Sequence, residues 1–557
     1  MSTSHDNASR RSIDKKVSSE PASEEDVVAH LGVKTVEATH KVYGKYSKWA
    51  LFISLGLAAY IYSLDGTTTY TYLAYAASEF KGHSLISPIQ VAQAIIVAVG
   101  KPIVAKIADV KSRGSAYVFV LVFYVVGKYN RGTPIKRHTK LEYRIHLPFI
   151  INAFVGSNIS AAVVEGAGWR WGYGMFAILI PVSLLPLITT LLWAERKAKK
   201  LGIVLDANEK EIASQQTFFQ RLLHTANQLD IPGLLLIGTS VSLILLPLTL
   251  SQTAKGGWNN ASIIAMLVVG AVLIPVFVFY DFKIAQHPVV ARRFIFNRSV
   301  VLAASIGALD FISFYLTFTY LYSFILVVKP WSLVNVTYFS QTQTVALTVF
   351  AITAGVVMRF VRRAKHLLII GLGIRLVGVG LMIHSRGANG SDAELVWTQL
   401  LQGIGGGFAA ITSQVSAQAS VPHADVAIVT AVVLLVTEIG GAIGSAVAGA
   451  IWTNLMPGKL AKYLPFLTDA DRADLFGSVV AAVAYPRGNP IREGVIQAYD
   501  DVMKIILIVA TVFAAIPFFL SFFMPAWYLG DTQNAVENVD LKGERVEDPR
   551  PTDPERR

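Results

Sequence analysis

The chain has 557 residues, of which 53% are hydrophobic and only 15% charged, and its mean hydropathy is +0.50. Soluble domains carry about a quarter charged residues, so the composition excludes a soluble protein and predicts an all-α polytopic membrane protein. The net charge of +12 does not indicate a nucleic-acid partner, because the basic residues lie mostly in short loops beside apolar segments, where they set membrane orientation. The absence of cysteine excludes disulfides, iron–sulfur clusters and thiol catalysis.

Both ends of the chain are polar. Residues 1–45 have mixed charge and no apolar stretch at the start, which predicts a disordered cytoplasmic tail rather than a cleaved secretory signal. Residues 528–557 have the same character. The segments between them predict an N-terminal helical bundle over 46–195, a cytoplasmic loop and linker helix pair over 196–298, and a C-terminal bundle over 299–527 with an extracellular loop at 454–502.

About thirteen apolar segments near the length of a membrane span follow one another between the tails. They lie near 49–77, 86–108, 115–127, 147–165, 170–193, 231–251, 260–281, 299–328, 336–359, 366–384, 396–418, 425–453 and 503–527. Basic residues cluster in alternate loops, and basic loops stay in the cytoplasm. This rule predicts that both tails are cytoplasmic, which requires an even number of crossings.

The third segment, 115–127, explains the odd count. Its 13 apolar residues make about 20 Å of helix, against a hydrocarbon core of about 30 Å. A strongly basic stretch, 128–146, follows it and is unlike the other loops. If 115–127 crossed, every later loop would be inverted against the charge rule, so the sequence predicts that one span is absent here.

A polar stripe interrupts the first segment. Asp65 lies about 16 residues into the apolar run, and a carboxylate at that depth must face a polar cavity or a partner. At helical spacing Tyr62, Asp65, Thr69 and Tyr72 share one face. Two interpretations remain open: a substrate or proton site, or a helix-packing aspartate bonded to its neighbour.

Three further charges fall inside apolar runs. Asp310 and Glu438 lie in the eighth and twelfth segments, and Arg375 lies in the tenth. A carboxylate that takes and releases a proton within the membrane is what proton coupling requires, and the arginine is a candidate counter-charge. Each could also be structural, but charges buried in several separate spans favour transport. We therefore predict Asp65, Asp310 and Glu438 as proton-coupling candidates.

Two more patterns occur in the last third of the chain. Gln402, Gln414 and Gln418 follow one another in the eleventh segment, and together with Tyr315 they are candidates to line a substrate cavity. Small residues around Gly440 and Gly444 have the spacing that lets helices approach closely, and we interpret them as packing residues.

The cytoplasmic end of the second segment carries a charged motif. In "KPIVAKIADVKSRGSAYV" Asp109 precedes Arg113 by four residues, which resembles the signature loop of the major facilitator superfamily. That motif usually has glycine directly before the arginine, whereas Ser112 stands here. Such a charge clasp can hold one state of a gate. A second stretch, "GWRWGYGMFAI", is similar to the opening of the superfamily's sixth helix.

Seven further stretches carry a more specific resemblance, to fungal siderophore–iron transporters, a fourteen-helix branch of the superfamily. The resemblance covers about 45 to 530. The stretches are "LDGTTTYTYLAYA", "GKPIVAKIADV", "SQTQTVALTVFAI", "IRLVGVGLMIHSRGANGS", "WTQLLQGIGGGFAA", "SQVSAQASVPHADVAIVTAVVLLVTEIGGAIGSAVAGAIWTN" and "YPRGNPIREGVIQAYDDV".

The resemblance implies proton-driven import of ferric siderophores at the plasma membrane, with an endosomal or vacuolar membrane as the alternative. It also implies fourteen helices, where this sequence has about thirteen. Residues 128–146 stand where the family completes its third helix and adds its fourth. Gly127-Lys128-Tyr129 can be encoded with the intron-donor hexamer GTAAGT, so we hypothesise a mis-spliced transcript, which cDNA sequencing would test.

The predicted outer loop contains residues suited to a bulky chelate. They are Tyr485, Arg487, Gly488, Arg492 and Tyr499. Arginine donors and tyrosine faces can bind carbonyl oxygens and ring systems. A solvated loop with incidental aromatic residues is the alternative interpretation.

No metal-ligand spacing, Walker loop, dinucleotide fingerprint or nucleophile elbow occurs in the sequence. We therefore predict that the chain is not an enzyme, has no cofactor or bound metal, and is driven by a gradient rather than ATP. The expected partners are a ferric siderophore, protons and the lipid bilayer, and a monomer is expected. Two rival hypotheses are a proton-coupled multidrug exporter of the same superfamily and a non-transporting membrane product.

Overall fold

The structure is a computed structural model that describes residues 42–110, 117–121, 147–201, 227, 230–251, 254–286, 288, 291–387, 390–422 and 425–529. Regular structure in these residues is helical. The α-helices of five or more residues are α1 Lys45–Glu79, α2 Ile86–Val110, α3 Leu147–Glu165, α4 Trp169–Lys200, α5 Ile231–Leu250, α6 Ala261–Lys283, α7 Arg298–Phe318, α8 Leu321–Val328, α9 Leu333–Val361, α10 Ala364–Ser385, α11 Asp392–Ala419, α12 Val426–Tyr463, α13 Asp469–Gly477, α14 Val479–Val483 and α15 Pro490–Ser521.

The helices confirm a polytopic membrane protein. Among the described residues, eleven helices are long and apolar enough to cross a membrane, with α7 and α8 counted as one. The more polar α11 has 28 residues and packs along α9 and α10, which makes twelve membrane-length helices in the described part of the chain. Each matches a predicted segment. One predicted segment, 115–127, has no such helix: the structure describes only a helical fragment of it, 117–121, so the absence of a crossing there stays a prediction.

Capping side chains position the ends of several helices. Ser391 and Glu394 form a capping box at the start of α11, which satisfies two backbone N–H groups that the first turn leaves free. The Asn297 side chain accepts hydrogen bonds from the backbone N–H groups of Ser299 and Val300 at the start of α7. Arg362 ends α9 with a φ of 55°.

The helices form two halves that meet along two helix pairs. Helix α1 packs against α3 and α4 in the first half, while α7 packs on α12 and α15, and α10 on α11, in the second. The halves meet where α2 packs along α12 and α3 along α9. Helix α5 contacts both α2 and α12, whereas α6 packs mainly on α5 and leaves most of its apolar surface to lipid.

The structure corrects the predicted extracellular loop at 454–502. Helix α12 continues to Tyr463 and α15 begins at Pro490. Residues 464–489 alone connect them, and they contain the short helices α13 and α14. Hydropathy marks the part of a helix that lies in the hydrocarbon core, not the ends of the helix. The polar end of α12 and the polar start of α15 were therefore predicted as parts of the loop. The tails at 1–41 and 530–557 lie outside the described residues.

Glycines bring α7 and α12 into backbone contact. A Cβ atom at Gly440 would overlap the backbone of Ala308, and one at Gly444 would lie 2.9 Å from the Cα atom of Ile312. The predicted packing role of these glycines is confirmed. This close approach holds Asp310 of α7 in the interior of the second half.

Candidate translocation site

Asp65 is held within its own helix. Its side chain is buried, and the Thr69 hydroxyl donates a hydrogen bond of 3.1 Å to its Oδ1 atom. Asp65 and Thr69 therefore form part of the predicted polar face of α1. Tyr72 interacts electrostatically with Asp65, but its ring is fully buried against Gly172 and Tyr173 of α4. The helix turns Tyr72 into the core of the first half, away from the second half.

Asp310 and Arg375 form an ion pair inside the second half. The Arg375 Nε atom lies 2.6 Å from Asp310 Oδ1, and a terminal guanidinium nitrogen donates to the Asp310 carbonyl at 3.0 Å. The Arg375 and Asp310 side chains are 2% and 9% exposed. The structure thus pairs the predicted counter-charge with one of the three candidate carboxylates, and it does so between α7 and α10.

Glu438 has a different partner, which the sequence analysis did not select. The Lys101 Nζ atom lies 2.5 Å from Glu438 Oε1, and both side chains are largely buried. Lys101 belongs to α2 and Glu438 to α12, so this ion pair joins the two halves. Lys101 lies in the apolar run of α2, where a charge is a sequence signal in its own right. In the sequence analysis it appears only as the first residue of the gate motif.

Three tyrosines surround Glu438. Tyr62 and Tyr70 of α1 and Tyr315 of α7 all interact electrostatically with its carboxylate, and Tyr62 also interacts with Asp65. Tyr70 and Tyr315 share a hydrogen bond. All three tyrosines are half-buried. Tyr62 therefore lies within electrostatic range of both Asp65 and Glu438.

The predicted glutamines occupy separate positions on α11. The Gln402 side-chain amide donates to Thr317 Oγ1 at 2.8 Å and is fully buried. The amide of Gln418 donates to the Thr430 hydroxyl at 2.9 Å, and Gln414 is half-buried. Gln402 therefore lies at the break between α7 and α8, and these residues do not form one lining.

A missed cation stabilises the same helix break. Arg386, at the end of α10, is 1% exposed. It donates at 2.5 Å to the carbonyl of Thr317 and at 3.2 Å to the side chain of Gln399. No ion pair to Arg386 occurs within the described residues. The carbonyls that an interrupted helix leaves free need such donors, so we interpret Arg386 as a positioning residue for α8.

The two halves contact each other around a small cavity. It has a volume of about 20 Å³, is lined among others by Tyr70, Gln90, Phe318 and Gln341, and has room for about one water molecule. The Gln341 amide donates at 2.9 Å to the carbonyl of Thr67 across the cleft. The structure therefore shows the halves drawn together, with polar hydroxyl and amide groups on both sides of the seam.

His83 seals the side that the charge rule places outside. It comes from the turn between α1 and α2, is fully buried, and its ring nitrogens have no hydrogen-bond partner among the described residues. Its ring lies 6.0 Å from that of Tyr320 and 6.1 Å from that of Trp452. The latter two rings stack at 4.2 Å. A histidine of the first half thus fills an aromatic socket of the second.

The same turn contacts the short helices of the outer connection. Lys81 forms an ion pair of 2.6 Å with Asp474, and the Ser78 hydroxyl accepts a hydrogen bond from the Val479 backbone at 3.2 Å. Together with His83, these contacts join the two halves on the side that the charge rule places outside.

The structure does not assemble the predicted chelate-binding residues of the outer loop. Arg492 is buried and donates to the carbonyls of Leu326, Val327, Val483 and Tyr485. The end of α8 at Val328 leaves backbone carbonyls without helical partners. The Arg492 guanidinium donates to carbonyls of this helix end, so its donors are already used.

The remaining residues of that prediction are also held internally. Arg487 donates to the Val328 carbonyl and pairs with Glu493 at 2.8 Å. Gly488 has a φ of 85°, which favours glycine, and its N–H donates to Glu493. Tyr499 is not in the loop at all: it lies within α15, buried with its ring 4.8 Å from that of Trp452. Tyr485 is half-buried against the core.

Two predicted features cannot be placed. The side chain of Asp109 and all of Arg113 lie outside the described residues, as do 128–146. Among the described residues no cluster of histidine or acidic side chains has the arrangement of a metal site.

Comparison with known proteins identifies the family. The siderophore transporter fer7 of Mycosarcoma maydis is 35% identical over 93% of this chain and 86% of its own length. The chain belongs to the fungal siderophore–iron transporter family of the major facilitator superfamily. The low affinity heme transporter str3 of Schizosaccharomyces pombe is 34% identical over 91% of this chain and 87% of its own length. The MFS siderochrome iron transporter C of Aspergillus fumigatus is 33% identical, covering 87% and 85%.

Other comparisons add less. No protein-family model matches the transporter. Among solved structures, tetrameric PepTSo2 is similar with a TM-score of 0.48 and 12% identity, covering 86% of this chain and 99% of its own. A likeness of this degree carries no conclusion about mechanism.

Proposed function

We propose that this transporter imports ferric siderophore chelates by alternating access, driven by proton symport at the plasma membrane. The observation that carries the proposal is the buried ion pair between Lys101 and Glu438 across the two halves. Alternating access moves one half against the other around a central site. An ionisable pair at the seam changes its environment during that motion, as proton coupling requires.

The relatives support the substrate class. Fer7 and the Aspergillus protein have names that specify siderophore or siderochrome transport, whereas str3 has a name that specifies heme. Both ligands are bulky iron chelates. The hydroxyl, phenol and amide groups along the seam, including Tyr70, Tyr315 and Gln341, offer neutral hydrogen bonds to such a chelate. A ferric siderophore is therefore the proposed substrate, with heme as the competitor to test.

The carboxylates have different proposed roles. Asp65 and Glu438 flank Tyr62 at the seam and are the proposed proton carriers. Asp310 is held by Arg375 within one half, so its proposed role is to stabilise that half. Of the three predicted proton-coupling carboxylates, Asp65 and Glu438 therefore remain as proposed proton carriers.

Uptake of radioactive iron by a yeast that lacks its own siderophore transporters tests the proposal. We expect accumulation of the ferric siderophore that an uncoupler abolishes and that excess heme does not suppress. Suppression by heme would reassign the substrate. Extrusion of cationic drugs without chelate uptake would favour the exporter.

The same strain tests the region 128–146. One chain is expressed as it stands, and a second has these residues replaced by the corresponding segment of fer7. Growth on ferric siderophore by the second chain alone would show that this form is a non-transporting product. Growth by neither chain, with both present at the cell surface, would overturn the proposed function.

A further inference from the structure

The proposed function uses the ion pair between Lys101 and Glu438 but assigns no separate role to the Lys101 ammonium group. Its side chain is 6% exposed, at a depth where an ammonium group needs a partner. That partner, Glu438, is supplied by the other half of the molecule. The contact is direct, with 2.5 Å between Nζ and Oε1.

The surroundings of Glu438 leave few other groups to balance its charge. Among the described residues, the ionisable groups that act on it are Lys101 from α2, Tyr62 and Tyr70 from α1, and Tyr315 from α7. Helix α5, which also packs on α12, has no ionisable side chain along its length. The phenols can donate hydrogen bonds but are neutral, so Lys101 is the cation at this carboxylate.

A lysine suits an interaction that must break. Its ammonium is a compact point charge on a flexible stem, unlike the two-pronged guanidinium that Arg375 directs at Asp310. Breaking a buried pair is unfavourable when it leaves a bare charge behind. The carboxylate avoids that state if a proton arrives as the lysine leaves.

We propose that Lys101 competes with the transported proton for the Glu438 carboxylate, so that separation of the ion pair and protonation of Glu438 occur as one step. This inference rests on the proposed function. A proton from the outer side forms an O–H bond with Glu438, while the Lys101 ammonium keeps its own three protons and moves to the polar seam. When the proton leaves inward, the ion pair forms again and the protein regains its starting charge.

Three variants distinguish competition with the proton from an ion pair that only holds the two halves together. Lys101→Gln and Glu438→Gln each remove one charge, and the double variant K101E/E438K keeps an ion pair but moves the carboxylate to α2. Two transport readouts are compared: uphill accumulation, which needs the proton gradient, and exchange of chelate across the membrane, which does not.

We expect each single variant to retain exchange and to lose both uphill accumulation and the dependence of uptake on external pH. The swapped variant K101E/E438K should be present at the same level as the parent protein but should not show uphill accumulation. Full recovery by the swap would mean that the pair only holds the halves together and would overturn the inference. Uphill, pH-dependent accumulation by K101Q would overturn it as well.

Infrared spectroscopy of the purified full chain provides a readout that needs no transport. At neutral pH the parent should lack a carboxylic-acid carbonyl band from Glu438. K101Q should show that band, and K101Q/E438Q should lose it. If K101Q shows no such band, the competition is disproved. A parent that moves no chelate while K101Q gains the band would overturn the proposed function and leave the competition standing.

Discussion

Two buried ion pairs in the described part of this transporter are alike in geometry and different in position. Asp310 and Arg375 are 2.6 Å apart and Lys101 and Glu438 are 2.5 Å apart, and both pairs are largely buried. The first pair connects two helices of the second half, α7 and α10. The second connects α2 of the first half to α12 of the second.

The position of a buried ion pair relative to the two halves indicates whether its role is structural or functional. A pair inside one half keeps its environment if that half moves as a unit, so it can remain intact throughout a transport cycle. A pair between the halves lies at the surface that alternating access rearranges. The same distinction applies to the glycine contacts and hydrogen bonds around each pair, and it can be tested with matched variants.

The largest effect is expected from Arg375→Met. The variant leaves the Asp310 carboxylate buried without its cation, which costs about 3–5 kcal/mol, so the folded protein should be largely lost. Thermal unfolding in detergent, followed by the fluorescence of the tryptophans, measures the change.

The double variant D310N/R375M is the control, because it removes both charges. It should recover most of the stability. If R375M unfolds like the parent, the pair inside the half is not structural and the comparison fails.

A complete loss of uptake with intact folding is expected when the outer side is locked. The chain has no cysteine, so K81C/D474C introduces the two thiols without background. A reducible bifunctional reagent should join them at the Lys81–Asp474 contact and stop iron uptake, and reduction should restore it. Each single cysteine is the control. Undiminished uptake by the crosslinked protein would show that this contact does not open.

A smaller effect separates two glycines of the same helix. Gly440→Ala adds a methyl group against the Ala308 backbone, inside the second half, and Gly449→Ala adds one against Ser87 of the first half. Overpacking of this kind costs about 1–3 kcal/mol. G440A should lower the unfolding temperature, whereas G449A should mainly lower the rate of uptake.

Gly458→Ala is the matched control on α12, because no atom lies within 4 Å of the added Cβ. It should leave both unfolding temperature and uptake unchanged. Equal losses of stability in G440A and G449A, with equal uptake, would remove the distinction between the two kinds of contact.

The smallest effect is expected from Gln341→Leu. The change removes one neutral hydrogen bond across the seam, to the Thr67 carbonyl, which is worth about 1 kcal/mol. Unfolding temperature should change little, and the halves should separate more readily. Labelling of a single cysteine at position 70 in the Q341L background, where Tyr70 lines the closed cavity, should be faster than in the same cysteine variant with Gln341 present.

Much of this protein could be predicted because a membrane makes local sequence informative. Charges inside apolar runs are conspicuous, so Asp65, Asp310, Arg375 and Glu438 were found without a fold. The spacing around Gly440 predicted close packing, and the helices occur where the apolar segments predicted them.

Other predictions failed where spatial neighbours decide. Tyr72 shares a helical face with Asp65, but the packing of α4 buries its ring in the core of the first half instead of leaving it to line a cavity. Arg487 and Arg492 had the chemistry of a chelate site, but the carbonyls at the end of α8 use their donors. His83 gave no signal, because its socket comes from Tyr320 and Trp452, distant in the chain.

The sequence by itself determined the membrane class, the approximate spans, the family resemblance and four of the buried charges, since each depends on residue type and local spacing. Only the tertiary structure decided which charges meet. Asp310 and Arg375 are 65 residues apart and Lys101 and Glu438 are 337 apart, and no local pattern encodes a partner at that distance. Such pairing follows from how whole helices pack against one another, and that packing separates the pair inside one half from the pair between the halves.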